Sequence, residues 1–270
     1  LPAKATAEEI AALQALVDAC QEAYDVLPEA DRALEDVVAA VSQMKVVSEK
    51  IQAIEQETEE KINWDGDTAT LTINDVESLD QDAALAYVKE LGTNAASVKV
   101  LVLKNVQNVA PYAFHKSHWK ALETVTIADT ATIGDHAFMG LPCLTGVSLE
   151  NVGTLQSNAF SENKALTSLS LNSIEFVGAE AFRQCSALTS DGLDMLNVNA
   201  FDRSPFSYCT SLTELKLDGE SAGLGSLGAT MFYGCTGLTE VELKNFNTIS
   251  TQMFNGCTSL ETVTLESIDT

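Results

Sequence analysis

The segment Leu166-Thr-Ser-Leu169-Ser-Leu171, followed by Val177 and then by Ala181-Phe182-Arg-Gln-Cys185, decides the fold of this chain. The apolar residue that opens it recurs every 22 to 26 residues. The opening residues are Val98, Leu122, Leu144, Leu166, Leu188, Leu212, Leu238 and Leu260. A phenylalanine that follows a small or sulfur-containing residue keeps step with them, at Phe114, Phe138, Phe160, Phe182, Phe206, Phe232 and Phe254. Two markers that advance together indicate a chain of tandem repeats.

Each copy has the pattern of a repeat of leucine-rich type. In the Leu-x-x-Leu-x-Leu segment, alternate apolar side chains of a short strand point inward, and the phenylalanine fills the interior on a short helical or turn-like return. One copy is too small to have its own core, so stability must come from contacts between copies. Eight strands stacked in register would form a parallel sheet about 34 Å long, at roughly 4.8 Å per strand.

Residues 1–61 follow the period of helices. Thr6 and Glu9 form a capping box, and Pro28 separates two helices. The apolar stripe of the first helix is Ile10, Leu13, Val17, Cys20, Tyr24 and Leu27, and that of the second is Leu34, Val37, Ala40, Met44, Val47, Ile51 and Ile54. Each stripe can be covered by one partner helix, which predicts an antiparallel hairpin. Because two helices bury little surface, the hairpin also needs a neighbour: the repeats, another copy of the chain or a cell-surface component.

Residues 62–97 lead into the repeats. Asp65-Gly66 predicts a hairpin turn whose two central residues take positive φ, before a strand at Thr70–Ile73. A helix is predicted over Asp82–Leu91, with Gly92 in the left-handed conformation that ends it. We expect this unit to cover the open end of the repeat stack.

These patterns predict an α/β chain, in which an N-terminal antiparallel helical hairpin precedes a leucine-rich repeat solenoid with a parallel sheet face. We place the hairpin at 1–61 and the solenoid at 62–270. Within the solenoid, 62–97 form the N-terminal cap and 98–270 the repeats. We expect the chain to stop inside an incomplete repeat at Thr270.

Two repeats depart from the pattern. In the copy that opens at Leu188, an inward strand position is occupied by Asp191 beside Gly192, which predicts a broken or bent strand. In the next copy, the segment Gly219–Gly228 contains four glycines and lengthens the return. Such an insertion maps to a surface loop, which either binds a ligand or is a tolerated insertion without a role.

The charge is strongly negative along the whole chain. The 39 acidic and 15 basic side chains give a formal charge of -24, which opposes binding to nucleic acid and to acidic membrane surfaces. No segment approaches the roughly 18 consecutive apolar residues of a membrane span. Because the first residue is Leu1 rather than methionine, we expect that the chain has been trimmed.

Four of the six cysteines occupy equivalent positions in successive repeats. Cys185, Cys209, Cys235 and Cys257 each lie three residues after the marker phenylalanine, where earlier copies have Ser117, Leu141 and Asn163. Parallel Cβ atoms one strand spacing apart, roughly 4.8 Å, lie beyond the usual 3.5 to 4.5 Å of a disulfide. We expect free buried thiols that act as small hydrophobes.

Signals of catalysis or metal binding are few. His115 and His118 have a spacing that can bind a metal on a helix, and equally that of two surface histidines beside Trp119. Asp65 and Asp67 resemble the start of a calcium loop but lack its later acidic ligands. No nucleophile elbow, phosphate-binding loop or dinucleotide fingerprint is present. We predict a protein without a metal, a cofactor or an enzymatic activity.

The outward strand positions are the candidate binding face. They are Thr124, Thr126, Ser148, Glu150, Ser168, Ser170, Asn172, Glu214, Lys216, Glu240, Glu242 and Lys244. An open face of hydroxyls and mixed charges can bind a protein or a glycan through many polar contacts. A solvated sheet face rich in β-favouring threonine explains the same residues.

The pairs Ala137-Phe138, Ala159-Phe160 and Ala181-Phe182 and the endings Gly234-Cys235 and Gly256-Cys257 carry a resemblance. With them, residues 62–270 resemble the BspA-like leucine-rich repeat proteins of bacteria. The resemblance implies secretion or display on the bacterial cell surface, adhesion to host matrix proteins or to other cells, and no catalytic residues. We therefore expect an extracellular binding protein that recognises protein or glycan. The alternative is a structural or assembly subunit that self-associates through residues 1–61.

Overall fold

The computed structural model describes residues 7–32, 34–220, 222–224 and 227–268. By its internal contacts the chain divides into two compact units, Leu1–Lys61 and Ile62–Thr270, and each is described by itself. Two predictions fall outside the described residues, the capping box that needs Thr6 and the end of the last repeat at Thr270.

The first unit is a helical hairpin. Its helices are α1 (Ala7–Asp25), α2 (Glu29–Arg32) and α3 (Glu35–Lys61), and α1 packs on α3. The short helix α2 was not predicted. Its last residue, Arg32, stabilises the turn between α1 and α2. Arg32 donates from Nε to the Leu27 carbonyl at 2.9 Å and from its guanidinium to the Asp25 carbonyl, while the group lies 5.3 Å from the centre of the Tyr24 ring.

The apolar stripes of the hairpin are confirmed in part. Most of the predicted residues are at least partly buried: Leu13, Val17, Tyr24, Leu27, Val37, Met44, Val47 and Ile51. Three are exposed, so their assignment was wrong: Cys20, Leu34 and Ala40. Leu34 lies before the first residue of α3, at the exposed start of the helix, and Val41 takes the position predicted for Ala40. The side chains of Ile10 and Ile54 lie outside the description.

The second unit is a solenoid of short strands with one α-helix among its described residues. The elements are β1 (Ile62–Asp65), β2 (Thr70–Asn74), β3 (Ser78–Leu79), α4 (Gln81–Glu90), a 3₁₀ turn (Ala95–Ser97), β4 (Val100–Lys104), β5 (Asn108–Val109), β6 (Thr124–Ile133), β7 (Gly146–Leu155), β8 (Ser168–Val177), β9 (Leu193–Val198), β10 (Glu214–Asp218), β11 (Glu240–Lys244) and β12 (Thr262–Glu266). Successive coils pair in register, so that Thr126 lies beside Ser148 and Ser148 beside Ser170. The predicted repeat solenoid is confirmed.

The N-terminal coil begins with the predicted hairpin, although its turn differs from the prediction. β1 pairs antiparallel with β2. Asp65 accepts from the Asp67 and Thr68 amides and from the Thr68 hydroxyl, and the positive φ belongs to Ala69. The loop is therefore longer than the two-residue turn that Asp65-Gly66 predicted.

Helix α4 has the predicted position and the predicted end. Asp80 caps its start by accepting from the Ala83 amide at 2.8 Å. At its end Gly92 has φ of 69°, and the Thr93 amide donates to the Val88 carbonyl. This bond is that of a Schellman motif.

Each of β6, β7 and β8 bends at one residue with positive φ. The bends lie at Asp129, Asn151 and Ser173, with φ of 52° to 56°, and pairing skips these residues before it resumes. A coil therefore carries a second short strand face after the Leu-x-x-Leu-x-Leu strand. The sequence analysis missed this face because the Leu-x-x-Leu-x-Leu pattern ends before the bend.

The marker phenylalanines form a continuous ladder inside the solenoid. Six are fully buried: Phe114, Phe138, Phe160, Phe182, Phe206 and Phe232. The seventh, Phe254, is partly buried. Neighbouring rings stack with centroids 4.7 to 5.9 Å apart and planes within 15° of parallel. The predicted interior position is confirmed for all but the last ring.

The strand layer is divided, contrary to the predicted single sheet. One sheet runs from β1 to β9, with β1-β2-β4-β6-β7-β8-β9 along its main path, and β10-β11-β12 form a second sheet. β8 pairs with β9 through Leu169 and Leu193, so Asp191 does not point inward as predicted but is exposed. The coil that opens at Leu188 has two extra residues, and they are accommodated before β9 begins at Leu193.

The glycine-rich insertion packs against the solenoid. The Asn197 amide donates to the Ala222 carbonyl at 2.6 Å. A Cβ on Gly223 would lie 2.3 Å from Asn197 Oδ1, and one on Gly228 would lie 1.8 Å from the Asp202 carbonyl oxygen. These close approaches explain the glycines. Ser221, Gly225 and Ser226 lie outside the described residues.

Candidate functional site

The division of the strand layer separates the candidate binding residues into two patches. Those on β6 to β8 form what we call the hydroxyl face: Thr124, Thr126, Ser148, Glu150, Ser168, Ser170 and Asn172. Those on β10 and β11 form the charged face: Glu214, Lys216, Glu240, Glu242 and Lys244. The sequence order alone did not show this separation.

The hydroxyl face is built by strand alternation. Thr126, Ser148 and Ser170 form one row across three strands, because successive side chains of a strand point to opposite sides. The side chains between them are buried in the core. Within the described residues none of these three hydroxyls has a hydrogen-bond partner, so each keeps its donor and acceptor capacity.

The charged face satisfies much of its own charge. Lys216 Nζ lies 2.7 Å from Glu214 Oε2, and Lys244 Nζ lies 2.7 Å from Glu242 Oε1 and 3.3 Å from Glu266 Oε2. The bond that Lys244 donates lowers the pKa of Glu242, and the bond that Lys216 donates raises the pKa of that lysine. Because the carboxylates outnumber the lysines, this face is acidic.

Next to the marker phenylalanines, the four cysteines at equivalent repeat positions act as hydrogen-bond donors. Cys185, Cys209, Cys235 and Cys257 each donate from Sγ to the carbonyl of the phenylalanine in the preceding coil, at 3.2 to 3.4 Å. Burial raises the pKa of Cys185 and of Cys235 to about 12. They are therefore protonated and poor nucleophiles at neutral pH. The sequence analysis treated them only as small hydrophobes.

Asn163 takes the same ladder position one coil earlier. It donates to the Phe138 and Phe160 carbonyls at 3.0 and 2.8 Å and accepts from the Leu141 amide at 2.7 Å. One buried side chain thus ties three backbone groups of two coils together, which is a stronger link than a single thiol can make.

The histidines pair with neighbouring polar and aromatic side chains. The Ser117 hydroxyl lies 3.0 Å from His115 Nδ1 and 2.8 Å from His118 Nδ1, and the His136 ring stacks on Tyr112 with centroids 5.0 Å apart. Over the part of the chain that the structure describes, no group of three or more potential ligands is placed to hold a metal ion. Trp119, predicted beside surface histidines, is buried against Phe114.

The repeat pattern matches a known family. Residues 93–213 and 177–270 match the family described as BspA type leucine-rich repeat region, in six copies. The chain belongs to this family. Leucine-rich repeat proteins of this kind are generally binding scaffolds. None of the described helices of this BspA-type chain is long and apolar enough to cross a membrane.

Three solved bacterial structures are similar to this BspA-type chain. A leucine-rich repeat protein of T. pallidum has 18% identity and a TM-score of 0.43, covering 76% of this chain and 82% of its own. A leucine-rich repeat protein from Bacteroides ovatus has 17% identity and a TM-score of 0.30, and the match covers 76% of this chain and 74% of that protein. A leucine-rich repeat protein from Eubacterium ventriosum has 14% identity and a TM-score of 0.24, and the match covers 76% of this chain and 82% of that protein. No curated protein matches the chain.

The BspA-type coils also have outward strand positions, partly or fully exposed, that the sequence analysis missed. Thr72, Val102 and Asp194 extend the row of Thr126 on both sides. A shallow groove of about 380 Å³ follows the left-handed bends and is lined by amides, among them Asn151 and Asn199. The row positions Thr72, Val102 and Asp194 could have been found by aligning the strands of successive coils. The groove depends on backbone bends that the repeat pattern does not reveal.

Proposed function

We propose that this BspA-type chain is a non-catalytic binding protein, secreted or displayed on a bacterial surface, that recognises a partner through its hydroxyl face. The observation that carries the proposal is the row formed by Thr126, Ser148 and Ser170. Their unpartnered hydroxyls project from strands fixed by a packed core. Adhesion to a host matrix protein or to another cell is the role that the family favours.

The chemistry of the hydroxyl face favours a protein partner over a glycan. Its side chains offer hydroxyl, carboxylate and amide groups that can pair with the polar groups of a protein surface. None of its seven residues is aromatic, whereas an aromatic ring is a common platform for an amphipathic ligand. A glycan remains the second partner class within this proposal.

The test is binding to immobilised host matrix proteins and to a glycan array, measured with the full chain. Thr126→Arg, Ser148→Arg and Ser170→Arg together should reduce binding by at least about tenfold, because bulky side chains block the row. Ala131→Arg with Glu175→Arg makes the same change of charge at exposed positions after the bend and should bind normally. If both variants bind like the wild type, the hydroxyl face is not the site.

A second candidate function is assembly of two copies through the helical hairpin. Leu16, Val38 and Val46 are 61%, 50% and 50% exposed on its helices, and we propose that a second hairpin covers them. Light scattering over a concentration series tests this proposal. The wild type should form a dimer that Leu16→Ser with Val38→Ser dissociates, whereas Ala40→Ser at an exposed position should not change its mass. A wild-type monomer at all concentrations would exclude it.

A further inference from the structure

The boundary between the two sheets is a cleft with a defined size. It has a volume of about 150 Å³ and lies between β9 and β10. Its wall on one side includes Leu193, Asp194 and Met195, and its wall on the other includes Glu214 and Lys216. Each strand pairs on its far side, β9 with β8 and β10 with β11. The near edges therefore face each other across the cleft.

Both ends of the cleft are closed by specific contacts. At one end the Ser190 hydroxyl accepts from the Thr213 and Glu214 amides, each at 3.0 Å. In a regular coil the same two amides bond to a backbone carbonyl, as those of Thr167 and Ser168 do to Thr145. At the other end the inserted Ala222 accepts from the Asn197 amide. The side chain and the insertion hold the two edges apart as part of the fold.

Between these ends the near edges of β9 and β10 pair with no other strand among the described residues. Because a strand in a parallel sheet directs alternate backbone groups to its two neighbours, β9 and β10 each turn amides and carbonyls toward the cleft. Among the described residues these groups meet no strand partner. A carbonyl on such an edge can accept a hydrogen bond from a cationic side chain that enters the cleft.

The charge around the cleft selects the kind of segment. Its lining includes the carboxylates of Asp194, Glu214 and Asp218 but a single cation, Lys216, which Glu214 already binds. The whole chain carries -24. A cavity of about 150 Å³ holds a group as large as benzene, so it can receive one side chain but not a whole strand.

We propose that this cleft docks a short extended segment of a partner protein that carries a lysine or an arginine. The cationic side chain enters between β9 and β10, pairs with Asp194 and Glu214 and donates to the backbone carbonyls of the strand edges. The inference goes beyond the proposed function, because the cleft can bind such a segment whether or not the hydroxyl face binds a partner.

Blocked, fluorescently labelled pentapeptides test the proposal with the full chain. Those with a central arginine or lysine between valine and threonine should bind, and those with a central glutamate should not. Binding should also slow hydrogen exchange of the amides at 193–196 and 214–217. If no basic peptide binds, or if basic and acidic peptides bind alike, the proposal fails.

Matched variants locate the peptide. Asp194→Asn with Glu214→Gln should weaken the basic peptides at least about tenfold, because a bond to a charged group is lost at each position. Glu77→Gln with Glu175→Gln removes the same charge at exposed positions outside the hydroxyl face and the charged face and should change affinity less than twofold. Thr126→Arg with Ser148→Arg should keep peptide binding while testing the hydroxyl face separately. Equal losses in the two charge-removing pairs would show nonspecific attraction and overturn the proposal.

Discussion

The strand side and the return side of the solenoid respond differently to the same irregular coils. On the strand side, β9 and β10 do not pair and the layer divides into two sheets. On the return side, the rings of Phe182, Phe206 and Phe232 remain stacked through these coils, with centroids 5.5 and 5.6 Å apart. The same added residues therefore break one layer and leave the other intact.

Backbone bonds explain why the return side is insensitive to coil length. The Phe138 amide donates to Ala159, the residue before the next marker phenylalanine, at 2.7 Å. The equivalent bonds join Phe182 to Pro205 and Phe206 to Met231, at 2.9 and 3.1 Å. The comparison teaches that the aromatic ladder and its bonds hold the coils together, while added residues are accommodated on the strand side.

Removing a ring from the middle of the ladder should have the largest effect. Phe182→Ala should lower the free energy of unfolding by about 3 to 5 kcal/mol, since it leaves a cavity between two stacked rings. Phe254→Ala, at the partly buried end, should cost clearly less. Urea unfolding with unchanged m-values measures both. Equal losses at the two positions would mean that the ladder is not a continuous core.

Asn163 should contribute more to the free energy of unfolding than a cysteine at the equivalent position of another coil. Asn163→Ala leaves the Leu141 amide and the Phe138 carbonyl without a partner and should cost about 2 to 3 kcal/mol. Asn163→Cys restores one donor and should recover part of this loss. The same urea experiment applies, and a loss in Asn163→Ala no greater than that in Cys185→Ala would count against the ladder of side-chain bonds.

Alkaline pH should weaken the region that carries the thiols. Burial raises the pKa of Cys185 above that of an unfolded thiol, near 9, to about 12, so the unfolded chain releases this proton first. The stabilisation is complete below pH 9 and is lost as pH rises toward 12, by about 1.4 kcal/mol per thiol and pH unit. Urea midpoints from pH 8 to 11 should therefore fall less steeply in Cys185→Ala. If the urea midpoints of the wild type and of Cys185→Ala fall equally with pH, the result would contradict the burial of the Cys185 thiol.

Opening the end of the cleft should have the smallest effect. Ser190→Ala removes the acceptor of two amides, and the expected cost is about 1 kcal/mol. The hydroxyl of Ser148 has no such partner, so Ser148→Ala is the matched control and should change stability very little. Circular dichroism during urea unfolding distinguishes the two. If Ser190→Ala does not lower the free energy of unfolding, the Ser190 hydroxyl does not shape the cleft.

The sequence predicted the elements that repeat and missed those that depend on local geometry. The ring ladder could be predicted because Phe138 and Phe160 keep a fixed spacing, and the hydroxyl face because strand alternation places Thr126 outward. Asp191 predicted a disturbed strand in the coil that opens at Leu188, but not where the sheet divides: β9 still pairs with β8, and the division lies between β9 and β10. The bends were also missed, although Asp129 and Asn151 are residue types that take the left-handed conformation at little cost.

Native-state hydrogen exchange at increasing urea tests most directly whether the aromatic ladder unites the coils across the divided sheet. The amides of β7 and β8 and those of β10 and β11 are compared in the full chain. We predict that the slowest amides of both groups exchange with the same free energy and the same urea dependence, as one cooperative unit. Exchange of β10 and β11 through a separate opening at lower free energy would contradict the account.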